Sequence, residues 1–257
     1  RCIRKETKII AVVKADGYGH GAVPLAEVME KREDVWGYAV ATPEEAEELY
    51  TNGIKKPILI LGYTFPEYDA QIVQENLRPA VFSLIRAKQL SEEAMRQDKI
   101  CKIHIKLDTG MSRIGFQVTE QSADEIAQIA KLPHIMIEGI FTHFATADEA
   151  DDRKFQAQYQ FFKEVLAALE TLPPIVHASN SATSLWHADT IFTAVRLGDV
   201  MYGLNPSGSV LALPYEIKPA LSLVSELVHV KQLEAGQDIG YGATYTTEEP
   251  QWIGTIP

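Results

Sequence analysis

The chain has 257 residues, 46% of them hydrophobic, enough to bury a core of barrel size in one domain or in one domain plus part of another. Its 24 basic against 35 acidic side chains give a formal charge of -11, which excludes a general basic field for nucleic acid or anionic lipid but leaves room for a local basic pocket. Cys2 and Cys101 are too few for a disulfide scaffold, and no signal peptide, polybasic tract or apolar span of membrane length is read, so a soluble cytoplasmic protein without nucleic-acid or membrane partners is expected.

The first predicted strand, "IIAVVK" from Ile9, ends on Lys14 and runs straight into the glycine-rich "ADGYGHG". Next come "VWGYAV" from Val35 and a helix in "TPEEAEELYTNG", where Thr42 caps, Pro43 suits the first turn, Glu45 sits three after the cap and Gly53 supplies the stop. "KPILIL" from Lys56 and "PAVFS" from Pro79 precede a helical "SEEAMRQ"; "CKIHIKLD" from Cys101 precedes another in "QSADEIAQIAKLP". "IMIEGIFTHF" from Ile135 leads to the longest helix, inside "DDRKFQAQYQFFKEVLAALETLPP", and "PIVHASN" from Pro174 and "AVRLGDVMYG" from Ala194 complete the series. Eight strands alternating with helices predict a (β/α)8 barrel over residues 1–205. Beyond, strand-length runs and glycine turns without a long helix predict that residues 206–257 begin a mostly β domain.

Barrel chemistry gathers at the C-terminal ends of the strands. The polar residues there are Lys14, Lys106 with Asp108, Thr142 with His143, His177 with Asn180 and Ser181, and Arg196 with Gly198. Singly, each has an ordinary explanation, since a strand-end lysine reaches solvent and a histidine in an apolar strand is hydrogen-bonded in the core. Their convergence favours a site. The stretch after Lys14 has neither Walker spacing nor a G-x-G-x-x-G pattern. A better anion loop follows the eighth strand, where Gly198 lets backbone amides approach a phosphate, supported by Ser181. A lysine kept neutral by desolvation or a neighbouring cation can hold an aldehyde covalently. Pyridoxal 5'-phosphate meets both demands.

The stretches "VVKADGYGHG" at 12–21, "KLDTGMSRIG" at 106–115, "EGIFTHFATADE" at 138–149, "HASNSATS" at 177–184, "VRLGDVMYG" at 195–203 and "YGATY" at 241–245 resemble the alanine racemases. The resemblance implies a pyridoxal-phosphate barrel fused to a β domain, working as a head-to-tail homodimer that interconverts L-alanine and D-alanine and supplies D-alanine for bacterial peptidoglycan. It implies that Lys14 carries the cofactor and acts as one acid/base, and that Tyr241 of the other subunit serves the opposite face. By the same resemblance Arg196 donates to the pyridine nitrogen, His177 holds Arg196, and His143 links this group to Tyr241. Arg113 contacts the cofactor's phenolic oxygen and the substrate carboxylate, and Lys106 matches a carbamylated lysine that holds Arg113. Tyr18, Asn180, Ser181, Gly198 and the backbone amide of Asp199 serve the phosphate.

Racemisation needs a proton removed from one face of Cα and one returned to the other, so two chemically distinct bases are the minimum. A decarboxylase on a related barrel would want an acid where Arg196 stands; a cofactor-binding barrel without turnover would not need Tyr241. Those two readings remain the alternatives. His20, His104, His134, His187 and His229 form no zinc motif and are given no catalytic role, and no metal is expected. Family members extend past both ends of this sequence, so a chain truncated at both ends, with unpaired β-domain edges and little turnover of its own, is expected.

Overall fold

The computed structural model describes residues 4–257, which fall into two compact units, one ending at Ala220 and the other spanning Leu221–Pro257. Cys2 lies outside the described residues; Cys101 is buried, and burial pushes its thiol up to about 12. None of the described helices is long and apolar enough to cross a membrane.

The first unit is the expected (β/α)8 barrel. Its strands are β1 Lys8–Val12, β2 Val35–Val40, β3 Ile58–Ile60, β4 Arg78–Val81, β5 Cys101–Asp108, β6 Ile135–Phe141, β7 Ile175–His177 and β8 Ala194–Leu197. All pair in parallel in the order β4-β3-β2-β1-β8-β7-β6-β5, and β4 pairs with β5 to close the ring; a two-residue strand, Phe116–Gln117, flanks the end of β5. The helices are α1 Ala22–Glu30, α2 Pro43–Thr51, α3 Asp69–Gln74, α4 Leu84–Arg96, α5 Glu120–Ile129, α6 Arg153–Ala167 and α7 Ser181–Trp186.

Strand alternation sorts the core into two layers. Ala11, Ile58, Ile60, Ile103, Ile105 and Leu107 face the helices, where most of the buried apolar side chains gather. Ile10, Val12, Leu59, Ile175 and Ala194 form a separate cluster on the opposite faces, with Trp36 and Leu61 against it. Helix starts follow their caps: the side chains of Thr42, Ser83, Thr119 and Asn180 accept from Glu45, Arg86, Ser122 and Thr183 amides. The Ser83 cap explains why α4 begins well before the expected "SEEAMRQ".

Several strands are shorter than expected, those from Lys56, Ile135 and Pro174 among them, and two of the differences bear on the site. The first strand stops at Val12, and the last at Leu197, where Gly198 turns the chain into a 3-10 turn at Asp199–Tyr202. The composition changes after Asn205, but the compact-unit division falls later, because residues 206–220 pack on the barrel: Ser207 Oγ donates to the Asp148 carbonyl at 2.7 Å and Trp186 Nε1 to the Ala212 carbonyl at 2.9 Å.

In the second unit β9 His229–Leu233 pairs antiparallel with β12 Gln251–Thr255, and β10 Asp238–Ile239 with β11 Tyr245–Thr246. The apolar run before β9 forms no ladder, and Leu223 and Val224 in it are exposed.

Candidate active site

Lys14 does not end a strand; it opens a left-handed turn. Ala15, Asp16, Gly17 and Tyr18 all have φ between 50° and 60°, a region that costs a non-glycine residue about 1–2 kcal/mol. Side chains hold the turn in place. Asp16 Oδ1 accepts from the Ala22 amide at 2.8 Å, capping α1. Glu45, three residues after the Thr42 cap, accepts from Ala15 N and Ala41 N, both at 2.7 Å, so its carboxylate ties the lysine turn to the end of β2. A Cβ on residue 17 would stand 2.7 Å from Leu25 Cδ1 and 3.3 Å from the Ala22 amide nitrogen, so glycine lets the turn pack on α1 without displacing either.

A cavity of about 220 Å3 opens at the C-terminal ends of the strands, lined by Lys14, Tyr18, Lys106, Arg113, His143, Asn180, Ser181, Arg196, Gly198 and Asp199, together with Val12, Leu61, Phe141 and Asp148. The strands bring these residues together from distant parts of the chain. His177 lies behind the wall, fully buried against Arg196. Tyr241 belongs to the second unit, where it opens a short 3-10 turn and is fully exposed.

Arg196 is the hub of one end. It donates to His177 Nδ1 at 2.8 Å, to His143 Nδ1 at 3.0 Å, and to the carbonyls of Thr142, His177 and Ala178 at 3.0, 3.2 and 2.9 Å. A guanidinium has no acceptor, so both imidazoles must present a bare Nδ1 to it. Burial, then the Arg196 charge, holds both rings far below the usual histidine range, with Lys106 adding to the effect on each. Burial and Arg113 bring Arg196 itself down to about 9, which leaves it cationic at neutral pH.

Strand register places Lys106, Phe141 and His177 side by side on β5, β6 and β7. Phe141 stacks on His177 with ring centroids 4.6 Å apart, while Lys106 Nζ and Arg196 Cζ lie 5.2 and 5.4 Å from its ring centre. One aromatic ring thus contacts both basic side chains on a buried wall. Lys106 Nζ donates to the Leu107 carbonyl at 2.9 Å; burial first, then Arg196, lowers its amine to about 7. Asp108 is occupied elsewhere, accepting the amides of Gly110, Met111 and Ser112, each at 3.0 Å, which shapes the loop that carries Arg113.

The other end is built from backbone and hydroxyls. Ser181 Oγ accepts from the Gly198 amide at 3.0 Å, and Asn180 caps α7. A Cβ on residue 198 would stand 3.0 Å from the Tyr18 hydroxyl, so glycine keeps this cradle open. Burial, aided by the Asp199 charge, raises Tyr18 to about 12, which keeps it a neutral hydroxyl donor. A lysine side chain on one wall, hydroxyl and amide donors at one end and a cationic donor at the other fit a phosphorylated aldehyde with a basic ring nitrogen.

Some participants escaped the sequence reading. His104 lies two residues before Lys106 on the same face of β5, a period-2 signal; Glu45 was legible as a capping position but not as the tie to the lysine turn, and Phe141 and Tyr202 carried no signal. Tyr202 donates to the Val12 carbonyl at 2.9 Å and packs on Tyr18 and His20.

Fold and cavity define the class: a (β/α)8 barrel with a lysine- and arginine-lined site at the C-terminal ends of its strands. The family model for the alanine racemase N-terminal domain matches residues 1–206, and that for the alanine racemase C-terminal domain matches residues 220–257. This chain belongs to the alanine racemase family. It is 54% identical over 247 residues to an alanine racemase of Streptococcus gordonii, covering 96% of this chain and 66% of that protein. The crystal structure of alanine racemase from E. faecalis superposes with a TM-score of 0.88 at 46% identity, over 99% of this chain and 69% of that one. A Bacillus anthracis alanine racemase with bound L-Ala-P gives a TM-score of 0.85 at 36% identity, over 99% of this chain and 66% of that one. The chain thus spans about two thirds of the length of the relatives it matches.

Proposed function

We propose that the whole protein to which this chain belongs is a pyridoxal-phosphate-dependent alanine racemase, and that this chain carries the cofactor cavity and both acid/base side chains. The observation that carries the reading is Arg196, a buried guanidinium shared by two neutral imidazoles at the end of a cavity whose side wall bears Lys14. An arginine at the ring nitrogen leaves that nitrogen unprotonated, which suits brief proton exchange at Cα and disfavours decarboxylation.

When bound, pyridoxal phosphate supplies the electron sink for charge left on the α carbon. Lys14 holds it and moves the proton on one face. Tyr18, Ser181, Asn180 and the amides of Gly198 and Asp199 receive the phosphate. His143 accepts from Arg196 through Nδ1, so its own proton sits on Nε2, where it can donate to the phenolic oxygen of Tyr241 reaching in from a second subunit and serving the opposite face. Arg113 orients the substrate carboxylate. A Lys106 amine brought to about 7 is partly free base at neutral pH, the form that adds carbon dioxide and releases a proton. The resulting carbamate would turn repulsion of Arg113 into a charge-assisted hydrogen bond.

The accompanying assignments are barrel residues 1–205 with a β domain from 206, a head-to-tail homodimer, a cytoplasmic location and D-alanine supply for peptidoglycan. Borohydride reduction with bound cofactor and peptide mass spectrometry is expected to find the adduct on Lys14; an adduct on another lysine overturns the assignment. In the whole protein, Tyr241→Phe is expected to slow solvent-deuterium exchange unequally for L- and D-alanine. Equal, negligible losses remove Tyr241 as a base.

A further inference from the structure

The hydrogen bonds behind Arg196 continue past His177. His177 Nε2 lies 2.9 Å from His104 Nδ1, His104 Nε2 lies 3.5 Å from Glu138 Oε2 and has no hydrogen-bond partner among the described residues, and Glu138 receives Arg78 Nε at 3.0 Å with Lys102 Nζ at 3.7 Å. Proton positions follow from the Arg196 end. Arg196 can only donate, so His177 Nδ1 accepts, its proton sits on Nε2, and that proton is given to His104 Nδ1. His104 in turn carries its proton on Nε2, where the nearby carboxylate is that of Glu138 at 3.5 Å, an ion-pair distance rather than a formed hydrogen bond. The bonded donors point the same way, from the guanidinium at the cavity through His177 to His104, with the Glu138 carboxylate 3.5 Å beyond.

Backbone features independently make room for this chain. Gly139 faces His104 across the β5–β6 register, and a Cβ there would stand 2.4 Å from His104 Nδ1, the atom that accepts from His177. A shift in register between Ile103 and His104 leaves Glu138 as the unpaired residue of β6, a local irregularity of the kind that re-aims a side chain. Both rings are completely buried; burial keeps each below the usual histidine range, outweighing Glu138 at His104. Although burial opposes ionisation of Glu138, contacts from His104 and Arg78 hold it down at about 2.

We infer that His104 and Glu138 are positioning residues, which act through His177 to fix the direction of the Arg196 guanidinium and to permit only one tautomer of each imidazole. The direction of the chain rests on geometry alone; its consequence for turnover rests on the racemase reading. A ring flip or a swapped proton at either imidazole would set two donors or two lone pairs against each other between fully buried rings.

Long-range 1H–15N correlation on the histidine-labelled chain tests this directly. His104 and His177 are both expected to be neutral Nε2–H tautomers from pH 6 to 8. Finding His177 as the Nδ1–H tautomer, or either ring as an imidazolium at pH 7, overturns the inference without any variant. His104→Leu is expected to broaden the His177 signals and speed exchange of the Arg196 side-chain protons by roughly tenfold, the effect of stranding one buried donor. His104→Asn, whose side-chain oxygen can stand in for Nδ1, is expected to restore both. Gly139→Ala, which displaces the His104 ring without removing it, should resemble His104→Leu. Unchanged His177 and Arg196 signals in His104→Leu would mean that His104 only fills space. If the tautomers are as expected but pyridoxal phosphate does not label Lys14, the racemase reading fails while the donor chain stands.

Discussion

The barrel interior is divided into two halves of opposite chemistry. One part, mostly on β1 to β3, is closed by Ile10, Val12, Ala39 and Leu59, joined by Ile175 of β7 and Ala194 of β8, with Trp36 and Leu61 beside them. The other, on β4 to β8, holds Arg78, His104, Lys106, Glu138, His177 and Arg196, nearly all out of contact with solvent. The apolar half is held by the hydrophobic effect, which is non-directional and indifferent to pH. The polar half offers little net stabilisation, because its pairings must first offset desolvation, and it depends on every partner being present. What it provides is direction: donors and acceptors whose positions leave Arg196 a single orientation at the cavity.

The strongest way to break this contrast is Arg196→Leu. It strands the bare Nδ1 atoms of His143 and His177 and three carbonyls, and leaves Glu138 without the cation at the far end of its chain. A loss of about 3–5 kcal/mol is expected from urea unfolding. A loss below about 1 kcal/mol would mean that water enters and replaces the guanidinium. Leu59→Ala probes the other half. It should cost about 2–5 kcal/mol by leaving a cavity, and by the same amount at pH 6 and pH 9. A pH-dependent loss would show the two halves to be coupled.

Lys106 sharpens the contrast through pH. Its folded amine titrates at about 7 against an ordinary 10.5, because burial, then Arg196, disfavours the charged form. Between those values the unfolded chain binds the extra proton, so stability should rise with pH across that window and carry the full penalty below about 7. Lys106→Met should flatten that part of the stability profile; an unchanged slope would assign it to another group. The smallest effect is expected at the hydroxyl and amide end of the cavity. Gly198→Ala adds a methyl 3.0 Å from the Tyr18 hydroxyl, and should change stability by less than about 1 kcal/mol. It should nevertheless weaken pyridoxal-phosphate binding several-fold by equilibrium dialysis, which a purely electrostatic anion site would not feel.

The alternation of eight apolar runs with capped amphipathic helices made the barrel legible, since both signals are local and repeat along the chain. The cavity residues at the strand ends were legible for the same reason: once a barrel is inferred, Lys14, Lys106, His143, Ser181 and Arg196 must share one rim. The left-handed turn at Lys14 was not, because its conformation depends on Glu45, thirty residues away, accepting the Ala15 amide. Nor was the run before β9, whose strand-like composition finds no ladder partner in the second unit.

What the sequence determined by itself was the order of elements, the rim on which the chemistry falls and, through motif resemblance, the family. Only the tertiary structure decided which side chains touch. His104 and Glu138 look in sequence like an alternating core histidine and a strand carboxylate, 34 residues apart. They meet because β5 and β6 are neighbours, because Gly139 leaves space for a ring, and because a shift in register leaves Glu138 unpaired. Local propensity acts over a few residues of chain, whereas proton direction in a buried network is set by every donor and acceptor that closure of the barrel brings within about 3 Å.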